Sequence, residues 1–354
     1  MSQHAGQCII MGVPGPELTE GLVGLIKEIQ PGGFILFARN LASPEQTYRL
    51  VSELYSLCNI PPVITLDQEG GRVARLKAFA GVPVSGYELA RAGSAEWASE
   101  HGRLTAALLR LFGFNLNLAP VIDYSLSEER DNSLRGRCLG TSPDQVIELA
   151  SAFLDAMESG GVLGTVKHFP GYTYCENDPH GALPIIQRSL EEMNRDELRV
   201  FRTFLKRASS VMIGHGHFTH WHSEPFPASL SPSIVGGLLR HDMGYQGLVM
   251  TDDLEMGAIT RRFGAAESAR MAVEAGNDML LICHNPACAF LASEALSALP
   301  GNIVEPVLQR IQNFKARLAP PPSVWNPEHF AHLVRETAGL KTTVYEHLHS
   351  GSHP

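Results

Sequence analysis

Short apolar runs alternate with stretches of helical periodicity from one end of the chain to the other, which is typical of repeated βα units. Eight runs are predicted to be strands: residues 7–13, 33–37, 63–66, 115–122, 162–166, 210–214, 247–250 and 278–283. Most of these runs are apolar along their length, as expected for parallel strands whose sheet is covered on both faces.

Helix starts are marked between the predicted strands. Ser43, Ser142 and Ser189 each offer an N-cap oxygen, and a Glu or Gln follows three residues later in every case. Beyond Ser189, apolar residues recur at helical spacing: Met193, Leu198, Phe201 and Leu205. This pattern predicts a helix that packs one face on a sheet or barrel.

A closed barrel explains this alternation better than an open, doubly wound sheet. An open sheet would need a glycine-rich phosphate turn at its switch point, and the Gly12–Gly15 segment after the first strand lacks that spacing. No linker divides the chain before about Leu318. We therefore expect one domain, a (β/α)8 TIM-type barrel over residues 1–318. Residues 319–354 are expected to form an appended helix and a loose tail.

Composition excludes several classes of protein. The 354 residues include 28 basic and 37 acidic side chains, and no run of Lys or Arg exceeds two, so a nucleic-acid partner is not expected. The N-terminus lacks the pattern of a signal peptide, and no apolar stretch approaches the roughly 20 residues of a membrane span. Six scattered cysteines without zinc-type spacing agree with reduced thiols. We expect a cytoplasmic protein without a membrane partner.

Polar residues follow five of the eight predicted strands. The segment 67–72 follows the third strand, Asp123 the fourth, Lys167 and His168 the fifth, His215 the sixth, and Asp252 with Asp253 the seventh. Any one of them could be a helix cap or a loop ion pair. Together they indicate an active site, because the carboxyl ends of barrel strands meet at one mouth.

Three carboxylates lie in segment 250–257, directly after the seventh predicted strand. Carboxylate-bearing loops that face each other across a barrel mouth suggest glycoside hydrolysis, in which one carboxylate attacks the anomeric carbon. Asp252 is the candidate nucleophile. Asp253 is expected to point elsewhere, since successive side chains of a strand alternate, and to pair with a basic group. Glu255 lies near the start of the next helix and suits its dipole.

The proton donor is expected in the turn-rich segment 171–181, which contains Glu176, Asp178 and His180. An Asp two residues before a His can accept a hydrogen bond from one ring nitrogen, which fixes the tautomer and raises the basicity of the other nitrogen.

Four motifs resemble the signatures of glycoside hydrolase family 3, in order and in spacing. They are the segments 66–73 (LDQEGGRV), 167–171 (KHFPG), 178–180 (DPH) and 251–256 (TDDLEM). The resemblance extends from about Gln7 to Leu318, and it is strongest to the single-domain bacterial β-N-acetylglucosaminidases of peptidoglycan recycling. It implies retaining hydrolysis of terminal β-linked N-acetylglucosamine, with a muropeptide fragment as the carbohydrate substrate and with no cofactor or metal.

The resemblance also implies roles for individual residues. Asp252 would form the covalent glycosyl-enzyme, and His180 would act as general acid/base with Asp178 as its dyad partner. Six further residues would bind the non-reducing sugar: Asp67, Arg75, Arg137, Lys167, His168 and His215.

Two segments depart from the family pattern. The segment that carries Arg137, residues 132–140, is one residue shorter than in the family. After Gly171 the family commonly has His-Gly-Asp, whereas this chain has Tyr172, Thr173 and Tyr174, and Pro179 is the middle residue of the dyad segment. These differences concern the loop and the leaving-group side of the site more than the reaction.

Other functions remain open at this stage. His215 and His217, with His220 and His222, could form a metal cluster and make the protein a metal-dependent hydrolase. A phosphorylase is the nearer alternative, because a His acid/base repels phosphate less than a Glu would. A β-glucosidase and a non-catalytic sugar-binding protein are the remaining ones, and a binder would not need Asp178, His180 and Asp252 together.

Overall fold

Eight parallel strands close into a barrel in the computed structural model, which describes residues 2–127, 133–175, 183–322 and 324–350. The strands are β1 (Ile9–Gly12), β2 (Gly33–Ile35), β3 (Val63–Leu66), β4 (Leu116–Asn117), β5 (Leu163–Phe169), β6 (Ser210–Ile213), β7 (Leu248–Asp253) and β8 (Met279–Ile282). Each strand pairs with its neighbours in chain order, and β8 closes on β1. The predicted barrel class is confirmed.

Strand ends differ from the sequence prediction in ways that matter for the site. β5 continues to Phe169 and β7 to Asp253, so the polar residues expected after these strands are their last members. A residue in a strand has its backbone fixed by the ladder, which holds its side chain more firmly than a loop would. β4 keeps only two residues, with a separate bridge from Val121 to Lys167. The chain before β1 forms a 3-10 helix, Ser2–Cys8.

Helices surround the barrel. They are α1 (Glu20–Ile29), α2 (Pro44–Leu57), α3 (Lys77–Ala80), α4 (Gly86–Ala92), α5 (Ala95–Phe112), α6 (Pro143–Ser159), α7 (Leu190–Arg195), α8 (Glu197–Phe204), α9 (Gly257–Thr260), α10 (Ala265–Ala275), α11 (Pro286–Ser297), α12 (Gly301–Lys315) and α13 (Pro327–His349). A π-helix, Ser233–Asp242, precedes β7. Across the described residues, no helix is both long enough and apolar enough to cross a membrane.

The three predicted helix starts are confirmed. Each serine side chain accepts the N–H of the residue three positions later, at 3.2 Å for Ser43, 3.4 Å for Ser142 and 3.2 Å for Ser189. Ser189 and Glu192 form a full capping box. The helix predicted beyond Ser189 is interrupted at Asp196, which ends α7 and precedes α8.

The appended helix expected near the C-terminus is α13. It packs against α4 and α5, and its buried residues recur on one face: Leu333, Thr337, Leu340, Val344 and Leu348. α13 therefore joins the helical layer on the side of the barrel where β3 and β4 lie.

Candidate active site

A cavity of about 600 Å³ opens at the carboxyl ends of the barrel strands. This volume lies within the range of small-molecule sites. Its polar walls contain both signs of charge: Asp67, Arg72, Arg75, Arg137, Lys167, His168, Asp252, Asp253, Glu255 and His284. Apolar side chains complete it, among them Phe37, Leu118, Met212 and Met256.

Five charged side chains of alternating sign form a row beside the cavity, in the order Arg75, Asp67, Lys167, Glu69 and Arg137, and all of them except Glu69 border it. The Lys167 Nζ lies 2.8 Å from Asp67 Oδ1 and 2.7 Å from Glu69 Oε1. At one end an Arg75 Nη contacts Asp67 Oδ2 at 2.8 Å. At the other end Arg137 binds both carboxylate oxygens of Glu69, each at 2.8 Å. Each buried charge is thereby compensated by an opposite one.

The two carboxylates in this row of charges, Asp67 and Glu69, are held ionised. Burial alone would raise the pKa of Asp67, but Lys167 and Arg75 outweigh it and hold that pKa well below its usual range. Burial opposes ionisation of Glu69 as well, and there Arg137 and Lys167 lower the pKa to about 2. At neutral pH the cavity therefore has an ionised acceptor, Asp67, beside the cationic donors Lys167 and Arg75, and these are groups that bind sugar hydroxyls.

A tight hairpin after β3 explains how Arg75 reaches Asp67. Short strands Gln68–Gly70 and Val73–Ala74 pair antiparallel across the turn at Gly71 and Arg72. Gly70 has φ 111° and lies so close to the Val84 carbonyl that a Cβ would be 2.2 Å from its oxygen. Only glycine fits there. The Gln68 side-chain oxygen accepts the N–H of Arg75 at 2.8 Å and closes the turn.

His168 is oriented by a buried carboxylate that follows β4. Its Nδ1 lies 2.8 Å from Asp123 Oδ2, and because a carboxylate only accepts, Nδ1 carries the hydrogen. Asp123 Oδ1 accepts the N–H of Tyr172 at 2.6 Å. The Tyr172 ring stacks on the imidazole with 5.0 Å between ring centres. Asp123 thus fixes both the histidine side chain and the backbone at Tyr172.

Asp252 and Asp253 are the last two residues of β7, and both border the cavity. The alternation expected of an extended strand is broken, since the register against β8 shifts between Met250 and Asp253. Asp252 Oδ1 accepts the Asp253 N–H at 2.8 Å. Asp253 pairs with His284 at 3.2 Å, so it has the basic partner expected for it. Burial, reinforced by the neighbouring Asp252, raises the pKa of Asp253 to about 6.

His215 is wholly buried and supports the end of β7. Its Nε2 donates to the Asp253 carbonyl at 2.8 Å, which leaves Nδ1 to accept from the Ser229 hydroxyl at 2.8 Å. It does not border the cavity. In place of the sugar contact expected from the sequence, we assign His215 the task of holding the backbone that carries Asp252.

The same hydrogen bonds make His215 unavailable as a ligand of the metal cluster considered from the sequence. Both ring nitrogens of His215 are occupied, His217 Nδ1 accepts the N–H of Phe226, and His222 Nε2 bonds the Ser231 hydroxyl. Within the described parts of the chain, no three His, Cys, Asp or Glu residues are placed to hold an ion.

Of the residues singled out from the sequence, Asp67, Arg75, Arg137, Lys167, His168 and Asp252 border one cavity. Asp178 and His180 lie outside the described residues. Arg137, from the segment that is one residue short, borders the cavity and binds Glu69, whereas the exposed Arg135 does not border it.

Four residues of the site were not assigned a role from the sequence. They are Glu69, Asp123, Tyr172 and His284. Asp123 carried a usable signal, because it was recognised as a polar residue at a strand end. Glu69 lies in the same motif as Asp67, and no local feature of the sequence indicates its own role. Tyr172 stands out in the sequence only because it departs from the family pattern after Gly171.

Comparisons with known proteins agree with this geometry. Residues 5–313 match the family model described as glycosyl hydrolase family 3 N terminal domain, so α13 lies outside the match. A β-hexosaminidase of Tolumonas auensis is 34% identical over 302 residues, which are 85% of this chain and 90% of that protein.

Similar solved structures agree with the family match. The fold is similar to that of a glycoside hydrolase family 3 β-N-acetylglucosaminidase from Paenibacillus sp. str. FPU-7, with a TM-score of 0.88 and 33% identity, covering 96% of this chain and 68% of that one. It is also similar to NagZ from Neisseria gonorrhoeae in complex with N-trifluoroacetyl-D-glucosamine, with a TM-score of 0.79 and 26% identity, covering 94% and 98%.

Proposed function

Because this chain belongs to glycosyl hydrolase family 3, we propose that it removes terminal β-linked N-acetylglucosamine by hydrolysis with retention of configuration. The observation that carries the proposal is the position of Asp252: it ends β7 and borders the cavity that also contains Asp67, Lys167 and His168. The relatives named above are a β-hexosaminidase and a β-N-acetylglucosaminidase, which supports the choice of sugar.

In the first step an Asp252 oxygen bonds to the anomeric carbon while the bond from that carbon to the leaving oxygen breaks. The Asp253 N–H donates to Asp252 Oδ1 at 2.8 Å and fixes the plane of the carboxylate. His215 holds the Asp253 carbonyl, so the backbone at this point cannot turn freely. Orientation of this kind is a large part of what an enzyme adds to a nucleophile.

We assign the proton transfers to His180, with Asp178 as its partner, on the basis of the sequence motif. The imidazolium gives its proton to the leaving oxygen in the first step. In the second step neutral His180 takes a proton from the water that attacks the anomeric carbon, and Asp252 is released. A neighbouring carboxylate stabilises the cation in both directions.

In this proposal the charged side chains beside the cavity bind the sugar. Asp67 accepts hydrogen bonds from hydroxyls, while Lys167 and Arg75 donate them, and all three border the cavity. His168, oriented by Asp123, adds a further contact. Arg137 neutralises the charge of Glu69, which would lie beneath the sugar. The chemistry uses no cofactor.

We further propose that the substrate is a muropeptide fragment, and that the enzyme works in the cytoplasm where such fragments would be recycled. The sequence motifs resemble those of peptidoglycan-recycling enzymes, and NagZ of Neisseria gonorrhoeae is similar along 94% of this chain. The catalytic unit of this proposal is the barrel of residues 1–318, and residues 319–354 are its extension.

A panel of aryl glycosides tests the proposal. We expect hydrolysis of the N-acetylglucosaminide and little turnover of the matching glucoside or xyloside. Product analysis with added phosphate should show free N-acetylglucosamine and no sugar phosphate. A dominant glucosidase activity, or release of the sugar 1-phosphate, would overturn the assignment in favour of the respective alternative.

A further inference from the structure

Tyr172 is a buried tyrosine at the cavity border that takes no part in the proposed attack on the sugar or in the proton transfers. Its side chain is 1% exposed, although it belongs to the lining of the catalytic cavity. It lies three residues after the end of β5, at the point where the chain departs from the family pattern. A buried tyrosine hydroxyl usually has a hydrogen-bond partner, and the partner here indicates a function.

The contacts of Tyr172 come from the ends of three neighbouring strands. Asp123, after β4, accepts its N–H at 2.6 Å. The His168 imidazole, in β5, stacks on its ring with 5.0 Å between ring centres. The Tyr172 hydroxyl accepts the backbone N–H of His215, after β6. Gly214 leaves the space for this contact, because a Cβ there would lie 2.5 Å from the hydroxyl oxygen.

His215 connects this hydroxyl to the candidate nucleophile. The His215 Nε2 donates to the Asp253 carbonyl at 2.8 Å, and the Asp253 N–H donates to Asp252 Oδ1 at 2.8 Å. One series of hydrogen bonds therefore joins Tyr172 to Asp252, while the ring of the same tyrosine lies against His168. Closely packed interiors have low compressibility, so a shift of one member is transmitted to the next.

The phenol acts in this series as a neutral group. Burial, and after it the negative charge of Asp252, raises the pKa of Tyr172 well above its usual value. The hydroxyl therefore keeps its hydrogen at every pH at which the enzyme would work. Its loss should then change the rate by the same factor at each pH, which is not expected of a group that exchanges protons with the substrate.

We propose that Tyr172 is a positioning residue, whose hydroxyl fixes the His215 backbone and through it the Asp252 carboxylate, and whose ring holds the His168 imidazole in place for the sugar. This inference rests on the proposed function, because it takes Asp252 as the nucleophile. It goes further by assigning the hydroxyl to the chemical step and the ring to sugar binding, so the two parts of one side chain have different kinetic effects.

Two substitutions separate the hydroxyl from the ring. Tyr172→Phe removes only the hydroxyl, so kcat on an aryl N-acetylglucosaminide should fall about tenfold or more, with KM within about twofold of wild type. Tyr172→Leu also removes the aromatic contact with His168 and should raise KM by about two- to tenfold. A wild-type kcat in Tyr172→Phe, or the same increase of KM in both variants, would overturn the proposal.

The pH profile tests the neutral role of the phenol. The ratio of wild-type kcat to that of Tyr172→Phe should be constant between about pH 5 and about pH 9. If the ratio falls to one at either end of this range, Tyr172 takes part in proton transfer and is not a positioning residue.

Tyr245→Phe is the matched control for lost stability. Tyr245 is similarly buried, and its hydroxyl also bonds the main chain, at the Ala208 carbonyl 3.1 Å away, but it does not border the cavity. At a temperature below the unfolding midpoints of all variants, Tyr245→Phe should keep the wild-type kcat. An equal fall of kcat in Tyr245→Phe and Tyr172→Phe would show a general effect of stability and contradict the assignment.

Ser229→Ala tests the path through His215 with Tyr172 in place. The Ser229 hydroxyl donates to His215 Nδ1 at 2.8 Å, so its removal loosens the imidazole that holds Asp253. This variant should also lose kcat at nearly unchanged KM. In the double variant with Tyr172→Phe the two losses should not multiply, because both act on His215. A loss equal to the product of the single losses would contradict a shared path.

The wild-type enzyme separates this proposal from the one beneath it. If it hydrolyses no aryl N-acetylglucosaminide, the proposed function fails, and the variants are compared on the aryl glycoside that it does hydrolyse. If it hydrolyses the N-acetylglucosaminide and Tyr172→Phe keeps the wild-type kcat, only the role assigned to Tyr172 fails.

Discussion

Lys167 is the residue on which the charged wall of the cavity depends. Its side chain is only 2% exposed, and its ammonium group lies between the Asp67 and Glu69 carboxylates. Without it, two buried carboxylates would face each other with one arginine each at the outer ends. Removing one partner of a buried charge pair typically costs about 3–5 kcal/mol. The five charges are thus stable only when all of them are present.

Glu69→Gln tests this at a single position. The folded-state pKa of about 2 lies below the ordinary value of 4.5, so the ionised group stabilises the fold above pH 4.5. We expect the variant to lose about 3 kcal/mol of unfolding free energy at neutral pH, from about 1.4 kcal/mol for each pKa unit. Urea denaturation of both proteins as a function of pH is the measurement.

The sign of the pH dependence is the sharper readout. The difference in unfolding free energy between wild type and Glu69→Gln should become smaller as the pH falls from about 4.5 toward about 2, because the wild-type carboxylate then takes up its proton. A gap that is constant across this range would show that shape, and not charge, makes Glu69 important.

Part of this site could be predicted from the sequence, and the rest could not because it depends on contacts between distant residues. Asp67, Lys167 and Asp252 each stand at a strand end, where the pattern of polar residues after apolar ones is visible. Glu69 and Tyr172 act through contacts with residues about 70 and 40 positions away, Arg137 and His215. Such pairings depend on how the loops fold over the barrel, which no local pattern encodes.

The junction between α7 and α8 packs against Gly171, two residues after the end of β5. Glu197, at the start of α8, is buried against Gly171, where φ is 138° and a Cβ would lie 2.7 Å from the Glu197 side chain. Neither Glu197 oxygen has a hydrogen-bond partner in the described part of the chain, although Arg188 lies 3.5 Å away. Burial raises the pKa of Glu197 to about 7, against the pull of Arg188.

Glu197→Gln should therefore act in the opposite direction to Glu69→Gln. Here the folded state holds its proton more tightly than the unfolded chain, so wild-type stability falls as the pH rises from about 4.5 to about 7. The glutamine variant lacks this loss. We expect it to be the more stable protein at about pH 8, by at most about 3 kcal/mol, and nearly equal to wild type near pH 4.

Thermal unfolding midpoints of the two proteins between those pH values would check this. If the variant is less stable at pH 8, then the ion pair with Arg188 contributes more than the burial of the charge costs, and the raised pKa is not the controlling effect.

At the level of elements, the helix caps were predictable and the interruptions were not. Ser43, Ser142 and Ser189 use local hydrogen bonds, so their sequence spacing is sufficient. No comparable local pattern in the sequence marks the stop at Asp196 or the register shift after Met250. The shift brings both carboxylates of β7 to the cavity border, which strict alternation would not allow.

The whole barrel separates function and stability between its two faces. Opposite the cavity, directly before β8, Asp278 is fully buried and bonds two arginines: Arg240 of the π-helix at 2.5 Å and Arg310 of α12 at 2.7 Å. It also accepts the N–H of Val249 in β7 at 2.8 Å. The N-terminal face of such barrels usually serves stability.

Asp278→Asn should lower the unfolding free energy by about 3 kcal/mol, because two arginines lose their counter-charge, while kcat of the folded enzyme stays unchanged. Asp155→Asn is the control, since its pair with Arg207 at 2.9 Å is largely exposed and such pairs contribute less than about 1 kcal/mol. Similar urea midpoints for the two variants would argue against a separate stability network.

The fold class and the family were accessible from the sequence because both rest on repetition. Eight apolar runs predicted eight strands, and four motifs in the right order predicted glycosyl hydrolase family 3.

Trapping of the glycosyl-enzyme tests the central claim most directly. A fluorinated N-acetylglucosaminyl fluoride that slows the second step should leave a covalent adduct, detectable by mass spectrometry of the digested protein. We predict one adduct per chain, on the peptide that contains Asp252, and none in Asp252→Ala. Turnover of this compound without any adduct, or an adduct at another residue, would contradict the account.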